Sequence, residues 1–445
     1  MVESLIQDPA PENVHSSRLL SRIEDRTAKI IVVGQGYVGL PVAMRANEVG
    51  FQTVGFELDP RRLADLRAGD SYVEDVPSEQ LQRATAMGYC ATNDVGDLHD
   101  FDVAVISVPT PLREGVPDLS YVESAARSLA EVLSPGSLVV LESTTYPGTT
   151  EELVRPILEA SGLRCGSDFF LGYSPERIDP GNPKYGFVNT PKVVSGCDPA
   201  SLECCDAFYS TLVDRTVAVG STAEAELVKL LENTFRHVNI ALVNELAMFA
   251  ADLEVDIWRA IDAAATKPFG FMRFTPGPGV GGHCLPVDPS YLSWQVKRRS
   301  GRPFRFVELA NDVNDHMPDH VAARVTALLN QQSRAVNGSK ILLLGLTYKA
   351  GTSDFRESPS IVVGERLAAL GADLVACDPH VPAGAIASLP CRLVAFNETN
   401  LNDADLVVVL VDHPEFDAAT IARSSRLVFD AKAILRGESF VGEML

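Results

Sequence analysis

Hydrophobic and polar positions change rhythm twice along the chain. From Lys29 an apolar run, Ile30–Val33, leads into a glycine-rich turn and then a helical stretch, Val38–Val49. A second run, Gln52–Glu57, follows, and further strand candidates stand at Val103–Val108, Ser137–Glu142 and Phe169–Tyr173, with helical sequence between them. The runs are continuously apolar rather than alternating, the pattern of strands covered on both faces. Strands that alternate with helices pair in parallel through right-handed crossovers. From about Ala223 to Ala265 Gly and Pro nearly vanish and apolar residues recur at helical spacing. A Gly/Pro cluster, Phe274–Asp288, interrupts, and a second helical stretch runs from Phe306 to Asn330. Alternation resumes at Ser339 with Lys340–Leu346, a helix near Pro359–Leu370, then Asp373–Cys377, Asp405–Val411 and Arg426–Asp430. The expected fold is α/β: two Rossmann-like, doubly wound parallel sheets joined by a central helical domain. The expected boundaries are a polar extension over 1–27 with a short helix near 17–26, then 28–215, a helical domain over 216–330, and 331–445.

Composition narrows the function classes. A length of 445 residues suits about three domains at ~150 residues each. Hydrophobic residues at 46% and charged ones at 22% are those of a globular protein, which excludes disorder and fibres. No run approaches the ~18 apolar residues of a membrane helix. A net charge of −21 repels polyanions, so neither nucleic acid nor an anionic membrane is expected as a partner. The same charge poses a difficulty if the ligands are anionic. Eight cysteines lie scattered without CxxC pairs, no zinc-site spacing is present, and residues 1–27 carry no apolar signal segment. The expectation is reduced thiols in a cytoplasm and no metal.

The segment Ile31-Val32-Val33-Gly34-Gln35-Gly36-Tyr37-Val38-Gly39 is GxGxxG placed after a strand and opening a helix. Gly34 permits the tight turn, Gly36 lets a pyrophosphate approach the backbone, and Gly39 lets helix pack on strand. The helix start offers unpaired N–H groups to phosphate. Alone, the motif is equally a plain glycine turn. Glu57, 18 residues beyond Gly39, ends the next strand where an acid binds a ribose diol. That favours NAD over NADP, whose extra phosphate a carboxylate repels; Arg61 and Arg62 are the nearby cations that oppose this preference. A solvated strand end is the alternative for Glu57.

Residues 276–288 read Pro-Gly-Pro-Gly-Val-Gly-Gly-His-Cys-Leu-Pro-Val-Asp. So many glycines expose backbone N–H groups and let a ligand close on the main chain. Cys284 ends this loop and Asp288 follows four residues later, a setting for a nucleophile; an inert core thiol is the alternative. Lys229, Asn233 and Arg236 share one stripe of an otherwise apolar helix. They are either a cation and an amide beside a developing oxyanion, or a solvated face with Glu226–Lys229 and Glu232–Arg236 pairs. Ser143–Thr149 and Ser174–Arg177 each follow a strand, where such sheets bind ligands. Lys349 follows another strand, and Arg356-Glu357-Ser358-Pro359 opens a helix. Simple turns, a loop lysine and a helix cap account for these last four when taken singly.

Taken together, VVGQGYVGLP (32–41), VPTPL (108–112), ESTTYPGTT (142–150), YSPERIDPGN (173–182), KLLENTFRHVNIALVNE (229–245), PGPGVGGHCLPVDP (276–289) and TYKAGTSDFRESPS (347–360) resemble the UDP-glucose/GDP-mannose dehydrogenase family. The resemblance covers about residues 29–435. SYVEDV (71–76), PDLSYV (117–122) and AATKPFGF (264–271) are most similar to its UDP-N-acetylglucosamine 6-dehydrogenase branch.

The resemblance implies oxidation of a sugar C6 alcohol to a carboxylate with two NAD in succession, the acid serving a polysaccharide or sugar-containing metabolite. It makes Cys284 the nucleophile, through a thiohemiacetal and a thioester. It places Lys229 and Asn233 at the oxyanions, Asp288 at the water, Glu176 as acid–base group and Thr144 beside sugar and nicotinamide. It assigns Gly34, Gly36, Tyr37, Val38, Gly39, Glu57, Arg62, Thr110, Thr144 and Arg356 to NAD. It assigns Glu176, Lys229, Asn233, Gly279, Gly281 and Lys349 to the UDP-sugar. By it, 28–215 is the NAD domain, 216–330 the dimerisation domain with the cysteine loop, and 331–445 the UDP-sugar domain of a homodimer or higher homo-oligomer. UDP-N-acetylmannosamine, UDP-glucose and UDP-N-acetylgalactosamine are alternative substrates. A non-catalytic nucleotide-sugar or NAD-binding protein is a remote alternative. Three positions depart from the family's wording: Gln35, Glu57 in place of Asp, and Arg273, which competes with Lys267 as a phosphate contact.

Overall fold

A computed structural model describes residues 13–179, 182, 184–282, 285–382 and 391–445. The chain forms two compact units, 1–231 and 232–445, with the division inside one long helix, Thr222–Ala250.

The first unit is built on eight strands: β1 (Lys29–Val33), β2 (Gln52–Phe56), β3 (Cys90–Thr92), β4 (Val103–Ile106), β5 (Leu138–Leu141), β6 (Phe170–Tyr173), β7 (Lys192–Gly196) and β8 (Thr216–Ala218). Their order is β8-β7-β6-β5-β4-β1-β2-β3. The six strands from β3 to β6 give 3-2-1-4-5-6, the doubly wound order whose direction reverses between β1 and β4. Neighbours run parallel except β6 and β7, where Gly172 faces Gly196 in antiparallel register. Among the described residues the connection between those two strands carries no helix, and without a crossover the chain returns antiparallel. Strands β4 and β5 are buried at every position, as their unbroken apolar runs require. The helix Val14–Glu24 begins three residues before the expected one and lays Leu19 and Ile23 into the same core as Ile30 and Val32.

The second unit carries β9 (Lys340–Leu344), β10 (Asp373–Cys377), β11 (Arg392–Leu393), β12 (Leu406–Val409), β13 (Val428–Asp430) and β14 (Gly442–Met444). They are ordered β11-β10-β9-β12-β13-β14 and all parallel. This is again 3-2-1-4-5-6. The expected helical stretch 223–265 breaks into Thr222–Ala250 and Ile257–Ala265, the second capped by Asp256, whose side chain accepts from Arg259 N. The stretch 306–330 appears as Arg305–Gln331. Val243, Ala247, Trp258, Met317 and Val321 share one core with Ile341, Leu343 and Phe429 of the sheet. Helices and sheet therefore fold as one unit here.

The likeness of the two sheets reaches single atoms. Lys29 N donates to Asp102 Oδ2 at 2.7 Å, and Lys340 N to Asp405 Oδ2 at 3.0 Å. Gly34 N donates to Phe56 O, and Gly345 N to Cys377 O. Each chain segment thus leaves its first strand through a glycine at positive φ, +89° at Gly34 and +92° at Gly345.

Candidate active site

In the first unit the glycine turn divides its labour. A Cβ on Gly34 would lie 2.5 Å from Ser107 O, and one on Gly39 would lie 1.9 Å from Gly34 O. Both glycines are there for packing. A Cβ on Gly36 would meet nothing within 4 Å, so the main chain lies open at that residue. The helix Gly39–Glu48 that follows has no side-chain cap at Val38; Leu40 N donates to Gly36 O and Pro41 has no N–H, so it is the positive end of the dipole that the helix offers a ligand. Tyr37 is exposed and Val38 half-buried beside this opening. The turn therefore fits a pyrophosphate bound by main chain.

Glu57 closes β2 with its carboxylate held from both ends: Gln35 N donates to Oε2 at 3.1 Å and Asp59 N to Oε1 at 2.9 Å. Arg62 Nη1 stands 4.0 Å from Oε2, and its guanidinium lies over the Tyr72 ring. Gln35 proves to be a structural element. Its side chain is 0% exposed, donates from Nε2 to Val32 O and accepts from Tyr89 Oη at 2.7 Å, while Tyr72 Oη donates to Gln35 O. A Cβ on Gly55 would lie 2.6 Å from the Gln35 amide, so that glycine makes room for it.

Thr110 is buried in the loop after β4, and half-buried Thr144 sits in the loop after β5. Ser143 Oγ joins the two loops, accepting from Val108 N at 2.9 Å and donating to Val108 O at 2.8 Å. The Thr144 loop is held again from Glu226, which accepts from Gly148 N, Thr150 N and Thr150 Oγ1. The solvated-face alternative for this helix placed Glu226 in a surface pair with Lys229. Its side chain is instead fully buried, because those three donors replace water. Burial pushes the Glu226 carboxyl up to about 7, against the pull of the Thr150 and Gly148 bonds.

Glu176 follows β6 and accepts from Arg177 N and Ile178 N through Oε1. Its Oε2 meets Lys192 Nζ at 2.9 Å, and the same ammonium meets Glu142 Oε1 at 2.8 Å. Burial opposes the charge of Glu176, but Lys192, Ile178 N–H and the nearby Lys229 outweigh it and hold the carboxyl below its usual range. Half-buried Lys229 and Glu176 are thereby brought together. Lys192 and Glu142 are residues that sequence reasoning missed; the signal was a lysine opening an apolar strand and a glutamate ending another.

In the second unit Asn233 and Asp288 are both buried, and Asn233 Nδ2 donates to Asp288 Oδ2 at 2.5 Å. Asp288 is the first residue of the helix Asp288–Ser300, where the dipole favours an anion. Arg236, from the same stripe, is exposed. Cys284 and His283 lie outside the described residues. The loop before them is anchored at Gly277, whose N–H donates to Asn244 Oδ1; Asn244 Nδ2 donates to Asn314 Oδ1. Its glycines meet the chain itself. A Cβ would lie 2.9 Å from Pro359 Cβ at Gly279, 2.6 Å from Glu357 O at Gly281 and 2.8 Å from the Tyr348 ring at Gly282. Lys349 is half-buried next to Tyr348, and its carbonyl accepts from Thr347 Oγ1. Arg356 is 57% exposed at its side chain and forked onto Asp354, through Nε at 2.9 Å and Nη2 at 2.7 Å. Arg273 is forked onto Asp262, and Lys267 lies over the Phe269 ring.

Asp378 ends β10 as Glu57 ends β2, and accepts from Leu346 N, Thr347 N and His380 N. Burial works against its charge, but His413 and these N–H groups hold it at about 2. The donor atoms of His380, His413 and Glu415 lie within 4.8 Å of one another. His413 is committed on both nitrogens: Nδ1 accepts from Gly351 N, and Nε2 faces Asp378 Oδ2 at 3.1 Å. His380 Nε2 stands 3.2 Å from Glu415 Oε1.

Comparison with known proteins agrees with this geometry. The chain matches the NAD binding, central and UDP binding domains of the UDP-glucose/GDP-mannose dehydrogenase family over residues 28–213, 223–316 and 342–437. It is 35% identical to a UDP-N-acetyl-D-mannosamine dehydrogenase of Pyrococcus horikoshii over 92% of this chain and 96% of that protein. It is 34% identical to a UDP-N-acetyl-D-glucosamine 6-dehydrogenase of Pseudomonas aeruginosa over 92% and 97%. The solved structure of a P. horikoshii UDP-D-ManNAc dehydrogenase superposes with a TM-score of 0.84 at 33% identity, covering 94% of this chain and 98% of that one.

Three outcomes follow from the site's geometry. Gly36→Ala should leave stability within ~0.5 kcal/mol, since the space is free. It should weaken NADH binding on the order of tenfold or more, measured by fluorescence titration. Gly39→Ala should destabilise by at least about 1–3 kcal/mol in chemical denaturation, because the added carbon overlaps a carbonyl. Glu226 titrates near 7 folded and near 4.5 unfolded, so the folded state holds the proton more tightly. Its contribution is full below the unfolded value and is lost as pH rises through 7. Thermal unfolding between pH 4.5 and 8 should show a fall in wild-type stability that is shallower in Glu226→Gln; equal slopes would reject the assignment.

Proposed function

The chain belongs to the UDP-glucose/GDP-mannose dehydrogenase family, and on that premise we propose that it oxidises the C6 alcohol of a UDP-sugar, UDP-N-acetylglucosamine first among them, to the uronic acid. The observation that carries this reading is the buried Asn233–Asp288 pair, an amide fixing a carboxylate that stands four residues after Cys284 in the sequence. A one-step alcohol dehydrogenase has no use for Cys284.

NAD, when bound, accepts the hydride of each oxidation. The open main chain at Gly36, the uncapped helix start beyond Val38 and the Glu57 carboxylate would hold it, with Gly34, Tyr37, Gly39, Arg62 and Thr110 around them. The family resemblance assigns Arg356 to the cofactor as well; its guanidinium is paired with Asp354. The Cys284 thiolate adds to the aldehyde left by the first oxidation, because an aldehyde lacks the alkoxide from which a second hydride can leave. Lys229 and Asn233 stabilise the oxyanions of the thiohemiacetal and of thioester hydrolysis. Asp288, fixed by Asn233, orients the hydrolytic water. Glu176 accepts a hydrogen bond in the same steps, and Thr144 holds the sugar against the nicotinamide. Gly279, Gly281 and Lys349 bind the nucleotide sugar.

A second reading keeps the chemistry on UDP-N-acetylmannosamine; it rests on the P. horikoshii relative, which matches this chain as well as the glucosamine enzyme does. UDP-glucose and UDP-N-acetylgalactosamine differ from these by only a few contacts. The protein acts as a homodimer or higher oligomer: Phe235, Leu242, Leu246 and Phe249 form an exposed apolar stripe on the long helix, beside exposed Phe306 and Leu309 in the same unit. A cytoplasmic setting suits the seven described cysteines, which are all unbridged. No helix among the described residues is long and apolar enough to cross a membrane.

A panel of UDP-sugars with NADH counted per sugar consumed tests the reading. Two NADH per UDP-N-acetylglucosamine is expected; one per sugar, or turnover of UDP-glucose alone, rejects it. Cys284→Ser should abolish acid formation, followed by chromatography of the products.

A further inference from the structure

Lys192 opens β7 with its side chain 3% exposed. A lysine ammonium so enclosed needs compensation from every side. Two sides are carboxylates, Glu142 Oε1 at 2.8 Å and Glu176 Oε2 at 2.9 Å. Two others are aromatic faces: the ring centroids of Tyr209 and Phe187 lie 5.1 and 5.5 Å from Nζ. Tyr209 also donates from Oη to Glu142 Oε1 at 2.7 Å.

The charges do not balance if both acids are ionised, since one ammonium would face two carboxylates in a dry site. The hydrogen bonds settle which acid keeps its charge. Glu176 has donors on both oxygens: Lys192 on Oε2, Arg177 N and Ile178 N on Oε1. Glu142 receives its donors on Oε1 alone, and Oε2 is buried with no hydrogen-bond partner. A bare charged oxygen without a donor is far costlier than a neutral one, so Glu142 Oε2 is the place for a proton.

We propose that Lys192 is a positioning residue that fixes Glu176 as a permanent carboxylate, with Glu142 as its proton-bearing partner, so that Glu176 serves the reaction only as an acceptor and never as a proton donor. The proposal rests on the dehydrogenase reading above and names the protonation state in which that site works. Groups facing Glu176 from elsewhere in the unit agree. Lys229 on the long helix adds a second positive charge, and Tyr209 and Cys205 on the helix Pro199–Ser210 face the triad as neutral groups. Burial pushes Glu142 up against the pull of Lys192, in keeping with its proton.

The test is the pH dependence of kcat for UDP-sugar-dependent NADH formation in the full-length protein. Wild type should show no acidic limb from Glu176 down to about pH 5. Lys192→Met removes the charge that holds the carboxylate, so its acidic limb should move up by at least about one pH unit, with kcat lost roughly tenfold one unit below the new midpoint and recovered by pH 8. Lys192→Arg should restore the wild-type limb. Glu142→Gln, neutral like a protonated acid, should keep the limb where wild type has it. A folded Lys192→Met with an unmoved limb overturns the proposal, and so does a Glu142→Gln limb displaced as far as that of Lys192→Met. If Lys192→Met fails to fold, the Glu142→Gln limb decides alone. Wild type that makes no NADH from any UDP-sugar would instead fell the dehydrogenase reading.

Discussion

Carboxylates placed where water cannot reach them organise this molecule. An ionised acid at the carboxyl end of a parallel strand must find donors locally, and the nearest unpaired donors are the N–H groups of the loops that leave neighbouring strands. Glu57 draws in Gln35 N and Asp59 N, and Glu176 draws in Arg177 N and Ile178 N; Glu226, on the long helix and with its carboxyl pushed up by burial, draws in Gly148 N and Thr150 N. Each bond fixes a loop that carries candidate site residues. The acids thus position the turn of Gly34–Gly39, the loop of Thr144 and the segment of Glu176 without any of them having to touch a ligand first. A site assembled this way is rigid before substrate arrives, which is what hydride removal from a held alcohol requires.

The two sheets present the same device put to different ends. Both run 3-2-1-4-5-6, and both end the second strand in an acid, Glu57 in one and Asp378 in the other. Glu57 is held by two N–H groups and keeps lone pairs for a ribose diol. Asp378 is held by three N–H groups and by His413, which is itself locked by Gly351 N. The side chain of that acid is fully buried, out of reach of a sugar hydroxyl. Duplication of the fold did not duplicate the dinucleotide site, since the second copy uses its strand-end acid to close its own loops.

The sequence revealed the long, buried elements well because burial on both faces leaves no alternation to confuse: Asp373–Cys377 falls where its run stands, β1 begins one residue earlier at Lys29, and the other inner strands shorten by one to three residues. The edge strands Cys90–Thr92, Thr216–Ala218, Arg392–Leu393 and Gly442–Met444 are two or three residues long, too short for any periodicity to register. The helix Asp288–Ser300 was hidden by its polar sequence and by the Gly/Pro cluster before it. Within the site, GxGxxG with its strand-end acid was legible because each residue acts through its own backbone. Lys192 and Glu142 were not, since a buried lysine bridging residues 142 and 176 is a tertiary fact. The glycines of 279–282 were read as room for a ligand; part of that room is taken by Tyr348, Glu357 and Pro359 of the same unit.

These placements change what a net charge of −21 means for a protein that must receive two diphosphates. Several cations near the candidate site already have carboxylate partners: Lys192 has Glu142 and Glu176, Arg356 has Asp354, and Arg273 has Asp262. Attraction by these side chains would first have to break an ion pair. Main-chain N–H groups carry no such debt. The helix start at Gly39 lacks a side-chain cap and the main chain lies open at Gly36 before it, so the positive end of its dipole is available to phosphate. Phosphate held by a helix start feels a field confined to the first turn, which the distant acids barely alter because water and salt screen them beyond ~8–10 Å. Global repulsion and local capture are therefore compatible. The acids keep polyanions away at long range and fix the loops at short range, while the backbone binds.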